Sequence, residues 1–384
     1  MNKTALSMLQ SYVESDHFKG YDPYDFLNSW FPFRWFGKMP QAIVVQAGKL
    51  IPFNLRPILG VKKEENPKGL GLLLKAYSLL YSRTKKKCYL DQANYLFGRL
   101  LELRSNKKNF CWGYNFVWAN PDSVHPKYLP SSVVTSFVTQ GIYEYFKVTN
   151  NERAKEVLIS SSKYILEDIV CSQIDGESCY SYTEDEADVC YNASLLAAEL
   201  LAIVFSVTKD VSLLPKIKSA VSFVLSKQHE DGHWNYSLNV ATGQESKQVD
   251  FHQGFILNSL HHIKSLIQLH DERLDNAIVK GLKYYKECQF FPNGRSLWRV
   301  PKQFPVDIHN QAVGIITFSE FSSYSPDFKD FATKIADWTI ANMQDKRGFF
   351  YYRKFKTYTI KIPYMRWSNA WMLLAMSILN LSDN

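Results

Sequence analysis

Two short stretches carry side chains suited to proton chemistry. "DFHQG" (250–254) and "DIHNQ" (307–311) each set an imidazole two residues after a carboxylate. An imidazole titrates near neutrality and can take or give a proton. His252 and His309 are therefore candidates for a catalytic acid and base. Asp250 and Asp307 have two readings: a carboxylate partner in that chemistry, or an N-cap accepting first-turn N–H groups of a helix. Asn310, beside His309, and Asn192 in "CYNAS" (190–194) are placed to hold hydroxyl groups or loop backbone.

Further carboxylates stand apart, in "GYDPYDFLNS" (20–29). Glycoside hydrolysis needs two carboxyl groups flanking the scissile bond, and Asp22 or Asp25 with Asp250 or Asp307 would supply them. A turn built around Pro23 is the other use of the same residues. Arg299, Arg353 and Arg366 fall near the candidate imidazoles in the repeat pattern, with Arg295 and Arg347 close by. Arginine pairs bidentately with carboxylate or phosphate, so this set points to an acidic sugar. Aromatic faces that stack on sugar C–H surface are offered by Trp112, Tyr114 and Trp118 in "CWGYNFVW" (111–118), and by Trp234 and Trp367. The six cysteines form no Cys-x2-Cys pair, so no metal site is expected, and nothing calls for an organic cofactor.

The elements that must position these residues recur. Apolar segments with helical spacing begin near Lys68, Ser131, Tyr191, Phe251, Ile308 and Trp367, a period close to one helical hairpin with its loop. The spacing predicts helix pairs at 68–84 with 88–104, 131–149 with 151–169, 191–207 with 210–228, 251–269 with 272–288, and 308–322 with 327–344. The last helix, 367–381, has no following partner, and the segment 40–52 is the expected one. First members such as "ASLLAAELLAIVF" are apolar nearly all round, which marks inner helices; second members are amphipathic, which marks outer ones. Long links join each outer helix to the next inner one, and each contains an alternating aromatic piece that reads as a short β-hairpin. Gln173, Gln228, Gln289 and Gln344 precede glycines in these links. The Gln-x3-Gly-x-Trp run at 228–234 is one copy of that joint.

Six hairpins of inner and outer helices resemble the (α/α)6 toroid of the six-hairpin glycosidase-like proteins: glycoside hydrolases, polysaccharide lyases and sugar 2-epimerases. The resemblance covers the chain from about residue 40 and implies an all-α fold, with 1–39 as an arm packing on a single toroid domain, 40–384. It also implies a funnel at one end, where inner helices begin. Terpene cyclases use a related ring, but their Asp-x-Asp-Asp acid is absent and "EDEAD" (184–188) does not replace it.

Net charge is +8, with basic residues dispersed and no nucleic-acid-binding motif. No signal-peptide core is seen and no apolar run of about 18 residues is expected to cross a bilayer, so a cytoplasmic protein without membrane insertion is the expectation. The leading function is acid–base cleavage, hydrolytic or eliminative, of a uronate-type oligosaccharide. A sugar epimerase or isomerase using the paired histidines is the alternative, and a non-catalytic glycan-binding protein of polysaccharide biosynthesis the third. In each case the partner is a sugar or oligosaccharide.

Overall fold

In a computed structural model the chain is described over residues 2–119 and 123–381. Thirteen α-helices form there. The inner ring comprises α3 (Pro67–Thr84), α5 (Ser132–Thr149), α7 (Tyr191–Thr208), α9 (His252–Ile267), α11 (Ile308–Glu320) and α13 (Trp371–Leu381). Each packs on the next, and α13 returns to α3, so the ring is closed. The outer layer comprises α4 (Lys87–Glu102), α6 (Glu152–Glu167), α8 (Leu214–Ser226), α10 (Glu272–Gln289) and α12 (Pro326–Met343). The fold is the (α/α)6 toroid.

The sixth outer helix is not the 40–52 segment. It is α1 (Asn2–Ser15), which packs on α13 and α12. Its apolar side chains Leu6, Leu9 and Val13 are buried in the common core. The expected partner lay at the wrong place because 40–52 forms α2 (Lys38–Gly48), a helix that packs on the turns at Asp25–Asn28 and Phe33–Phe36 and on the strand Trp118–Ala119.

Two of the four repeated glutamines, Gln228 and Gln344, join neighbouring hairpins, whereas Gln173 bonds to Ser178 within its own strand pair. The Gln228 amide donates to Gly232 O and to Ala277 O of α10. The Gln344 amide donates to Gly348 O and to Ala5 O of α1, the same joint made across the ring's closure. The glycine is needed because φ is +102° at Gly348 and a Cβ there would lie 2.2 Å from Met8 O. Gly348→Ala should therefore lower stability by at least about 2 kcal/mol. Gly98→Ala, in α4 with nothing within 4 Å, should raise it by about 0.5–1 kcal/mol. Urea melts of the two variants check both signs.

A second peg repeats at the start of inner helices. Thr135, Ser194, Gln253, Gln311 and Asn369 each accept the N–H of a link residue: Trp112, Tyr180, Trp234, Ser296 and Phe350. Each peg fixes the link that carries the aromatic residues over its own inner helix.

Two to three turns further along, the inner helices share a buried polar network. Glu199 of α7 accepts from Gln140 of α5 and from Ser259 and His262 of α9. The other His262 nitrogen lies 3.1 Å from Glu320 of α11. Among the described residues one helix meets the length and apolarity needed to cross a bilayer, against expectation: α7, mean hydropathy 1.5. It lies in the inner ring and most of it is buried, including Glu199, so its composition reflects burial by neighbouring helices on all sides.

Candidate active site

The inner helices all begin at one end, and the links and residues 20–65 converge there around a cavity of about 650 Å³. Volumes of this order hold small ligands and short oligosaccharides. His252, His309, Asp250 and Asp307 all line it, as do Tyr114, Trp118, Asn192, Arg299, Asn310, Arg353, Arg366 and Trp367.

The two Asp-x-His units differ in use. Asp250 Oδ1 lies 2.5 Å from His252 Nδ1 and 3.2 Å from the His252 backbone N–H that it caps. Its second oxygen accepts from Gln248 and sits 3.5 Å from Arg299 Nε. Burial alone would raise the Asp250 carboxyl, but His252 and Arg299 outweigh it and hold it below the usual range. An ionised Asp250 fixes the proton on Nδ1 and leaves His252 Nε2 for the cavity.

Asp307 is saturated. It caps the His309 N–H at 3.0 Å, accepts from Arg353 Nε at 2.6 Å and from the Trp367 indole at 2.9 Å. It orients three cavity residues and has no side-chain contact with the His309 ring. That ring packs on Phe251, Trp367 and Trp371, at centroid distances of 4.4, 4.5 and 4.7 Å. Neither of its nitrogens meets a hydrogen-bonding partner among the described residues. Burial, then the charges of Lys68 and Arg366, hold the His309 pKa well below 6.5. A buried imidazole held below its ordinary pKa stands in its unprotonated form at neutral pH.

Four of the expected site residues stand elsewhere. Asp22 makes a bidentate pair with Arg366, at 2.6 and 2.8 Å, and does not line the cavity. Asp25 pairs with Arg56 at 2.5 Å, away from the cavity. Neither is available as a hydrolytic carboxylate, because each neutralises a buried guanidinium. Trp112 and Trp234 are not stacking platforms. Each is buried and donates its indole N–H to an outer-helix carbonyl, Leu100 and Val224 respectively, at 2.8 Å. Tyr24, Phe116 and Trp298 line the cavity beside Tyr114 and Trp118. Asn310 faces the cavity while donating to Leu297 O and Trp298 O, and so fixes the Trp298 link.

Two cations went unnoticed in the sequence. With Arg299, Arg353 and Arg366 each beside an aspartate, Lys68 and Lys49 are the cavity cations with no acidic partner among the described residues. Lys68, in the first turn of α3, is 4% exposed and lies 4.1 Å from the Phe137 ring centroid. Burial, then Arg366, pushes its pKa well down. Lys49, at the end of α2, lies over the Tyr24 ring, and burial, then Arg353 and Arg299, lower it to about 7. The signal for Lys68 was present: it is a charge in the otherwise apolar "KGLGLLL" opening of an inner helix. Arg366 and Trp367 are carried by a π-helical turn, Met365–Ala370, a distortion frequent at functional sites.

No protein-family model matches the sequence, and no curated protein matches it. Solved structures do match in shape. Cellobiose 2-epimerase from Bacillus thermoamylovorans superposes with a TM-score of 0.65 at 15% identity, over 83% of this chain and 90% of that one. A GH76 α-mannanase from Bacteroides thetaiotaomicron gives 0.64 at 14% identity, over 84% and 88%. A possible member of the GH105 family from Salmonella enterica gives 0.63 at 10% identity, over 82% and 83%. At such identities the likeness is one of fold, and it agrees with the toroid traced above.

Proposed function

We propose that this protein is a carbohydrate-active enzyme that moves a proton on a sugar, as an epimerase or isomerase, within a cavity that favours an anionic substrate. One observation carries the reading. Two imidazoles from neighbouring inner helices line one cavity, one with Nδ1 anchored on Asp250 and the other unpaired and held neutral. Neutral His309 is the base that takes a proton from carbon next to a carbonyl. His252, as an imidazolium balanced by Asp250 at Nδ1, donates its Nε2 proton to the oxygen where charge develops and takes it back as the carbonyl re-forms, while His309 gives its proton back to carbon. Tyr114, Trp118 and Trp298 hold the ring by stacking. The likeness in fold to a cellobiose 2-epimerase is compatible with this chemistry.

Cleavage, the leading expectation, loses the Asp22, Asp25 and Asp307 carboxylates to ion pairs with Arg366, Arg56 and Arg353. It keeps support as a second reading from Asp188, which lines the cavity and whose carboxyl is raised by burial, as a general acid requires. The test is a set of reducing disaccharides and their uronates in deuterium oxide. Deuterium entering an intact sugar at the carbon beside the carbonyl supports proton transfer. New reducing ends, or unsaturated-uronide absorbance without label in intact sugar, would establish cleavage instead.

The cation balance gives a pH expectation. Lys49 is charged below about 7 and loses its proton above it. Uronate affinity should therefore weaken as pH rises through about 7, by up to about tenfold per pH unit. Lys49→Met should bind less tightly at pH 6 and show a flat profile by calorimetric titration.

A further inference from the structure

Half of the large apolar side chains that stand exposed among the described residues lie between 30 and 58. Trp35, Phe53 and Ile58 are 75%, 73% and 75% exposed, and Trp30 is 69% exposed. Trp30 and Ile58 are neighbours in space. The Trp30 backbone donates to Leu59 O and its indole to Ile58 O, and Phe31 stacks on Phe36 with centroids 5.9 Å apart. Helix α2 packs against the Phe33–Phe36 turn. It buries Ala42, Val45 and Gly48 inward and turns Met39 and Ile43, one turn apart, to solvent. An apolar area of this kind, rich in Trp and Phe, marks an interaction surface.

Charge decides between its occupants. From Phe26 to Lys63 there is no Asp or Glu. Arg56 is buried on Asp25 and Lys49 faces the cavity, so among the described residues the basic side chains at this surface are Lys38, Lys62 and Lys63, the last beside Asp16. A second copy docked symmetrically would set this basic segment against itself. An anionic bilayer complements it: aromatic rings settle at headgroup depth and basic residues near the surface add attraction. The same segment borders the cavity, because Gln46, Lys49 and Leu50 line it.

We propose that residues 30–58 form a docking face for anionic membrane surface, and that the cavity beside it takes a saccharide head group carried on a lipid. The second clause rests on the sugar reading above; the first does not.

Flotation with vesicles tests both. The full chain should float with phosphatidylcholine vesicles containing about 30% phosphatidylglycerol, less with phosphatidylcholine alone, and less at high salt. Trp35→Ser/Phe53→Ser/Ile58→Ser should cut partitioning at least about 30-fold with an unchanged melting temperature, since those side chains are exposed. Wild-type protein staying with the unbound fraction in both vesicles, or the triple variant floating like wild type, overturns the docking face. So does a wild-type dimer, seen by light scattering, that the triple variant abolishes. Replacing phosphatidylglycerol by glucuronosyl diacylglycerol at equal charge should tighten binding about tenfold through the second contact. Equal binding overturns the lipid-borne substrate while leaving the docking result to stand on its own. A free uronate labelled in deuterium oxide separates failure of that clause from failure of the sugar reading.

Discussion

His309→Gln protein will leave sugars unlabelled in deuterium oxide, with turnover down by about 10²–10⁴ and folding intact. Glutamine retains the ring's approximate reach and hydrogen-bonding edge but cannot accept the proton. The imidazole has no hydrogen bond to lose, so the substitution removes chemistry more than structure. His252→Gln should fall by a similar factor, whereas Asp250→Asn should fall less and change the pH profile, because it frees the Nδ1 proton rather than removing the ring. The acid limb of turnover offers an independent check. His309 is held well below 6.5 by burial, Lys68 and Arg366, so its base form persists into mildly acidic solution. Lys68→Met removes one of those charges and should move the acid limb toward higher pH. Unchanged labelling in both histidine variants would end the paired-imidazole mechanism.

Glu199→Ala should cost about 3–5 kcal/mol of stability, the largest loss expected from one side chain outside the cavity. It strips acceptors from Gln140, Ser259 and His262 at once, on α5 and α9. The pH dependence identifies the network. Burial would lower His262, but Glu320 and Glu199 outweigh it and raise it to about 10, against 6.5 for a free histidine. Its contribution is therefore complete below about 6.5 and is lost as pH rises through about 10. Glu320, which burial would raise, is brought down to about 2 by His262 and Lys75, so its contribution is complete above 4.5 and lost as pH falls through about 2. Urea midpoints of the wild type should be flat between these limits and fall outside them. His262→Gln should lower the plateau and flatten both limbs.

The ring was legible because burial writes itself into helical period: all-round apolar stretches became α7 and α13, and amphipathic ones became outer helices. The Asp-x-His starts were legible because helix starts need an acceptor just ahead of them: Asp307 is the N-cap of α11, and Asp250, one residue outside the cap of α9, accepts that helix's first N–H. What was not legible depended on pairing across distance. Asp22 and Arg366 are separated by almost the whole chain, so nothing local shows that one cancels the other. Trp112 and Trp234 carry the same side chain as Trp118 and Trp298, and only the third dimension separates those bonded to an outer helix from those facing the cavity. The Glu199 network lies on helices whose apolar pattern hides it, since one or two polar residues per helix barely alter periodicity.

The contact of α1 with α13, and the Gln344 bond to Ala5, set a timetable for synthesis. Helix α1 leaves the ribosome well before α13, with Leu6, Leu9 and Val13 ready for a partner made more than 350 residues later. At ordinary elongation rates the interval is roughly 20–70 s. Through that time an open arc of inner helices holds its unmatched flanks in water, and no early hairpin can complete the circle alone. Expression at lower temperature should therefore favour recovery of the closed ring.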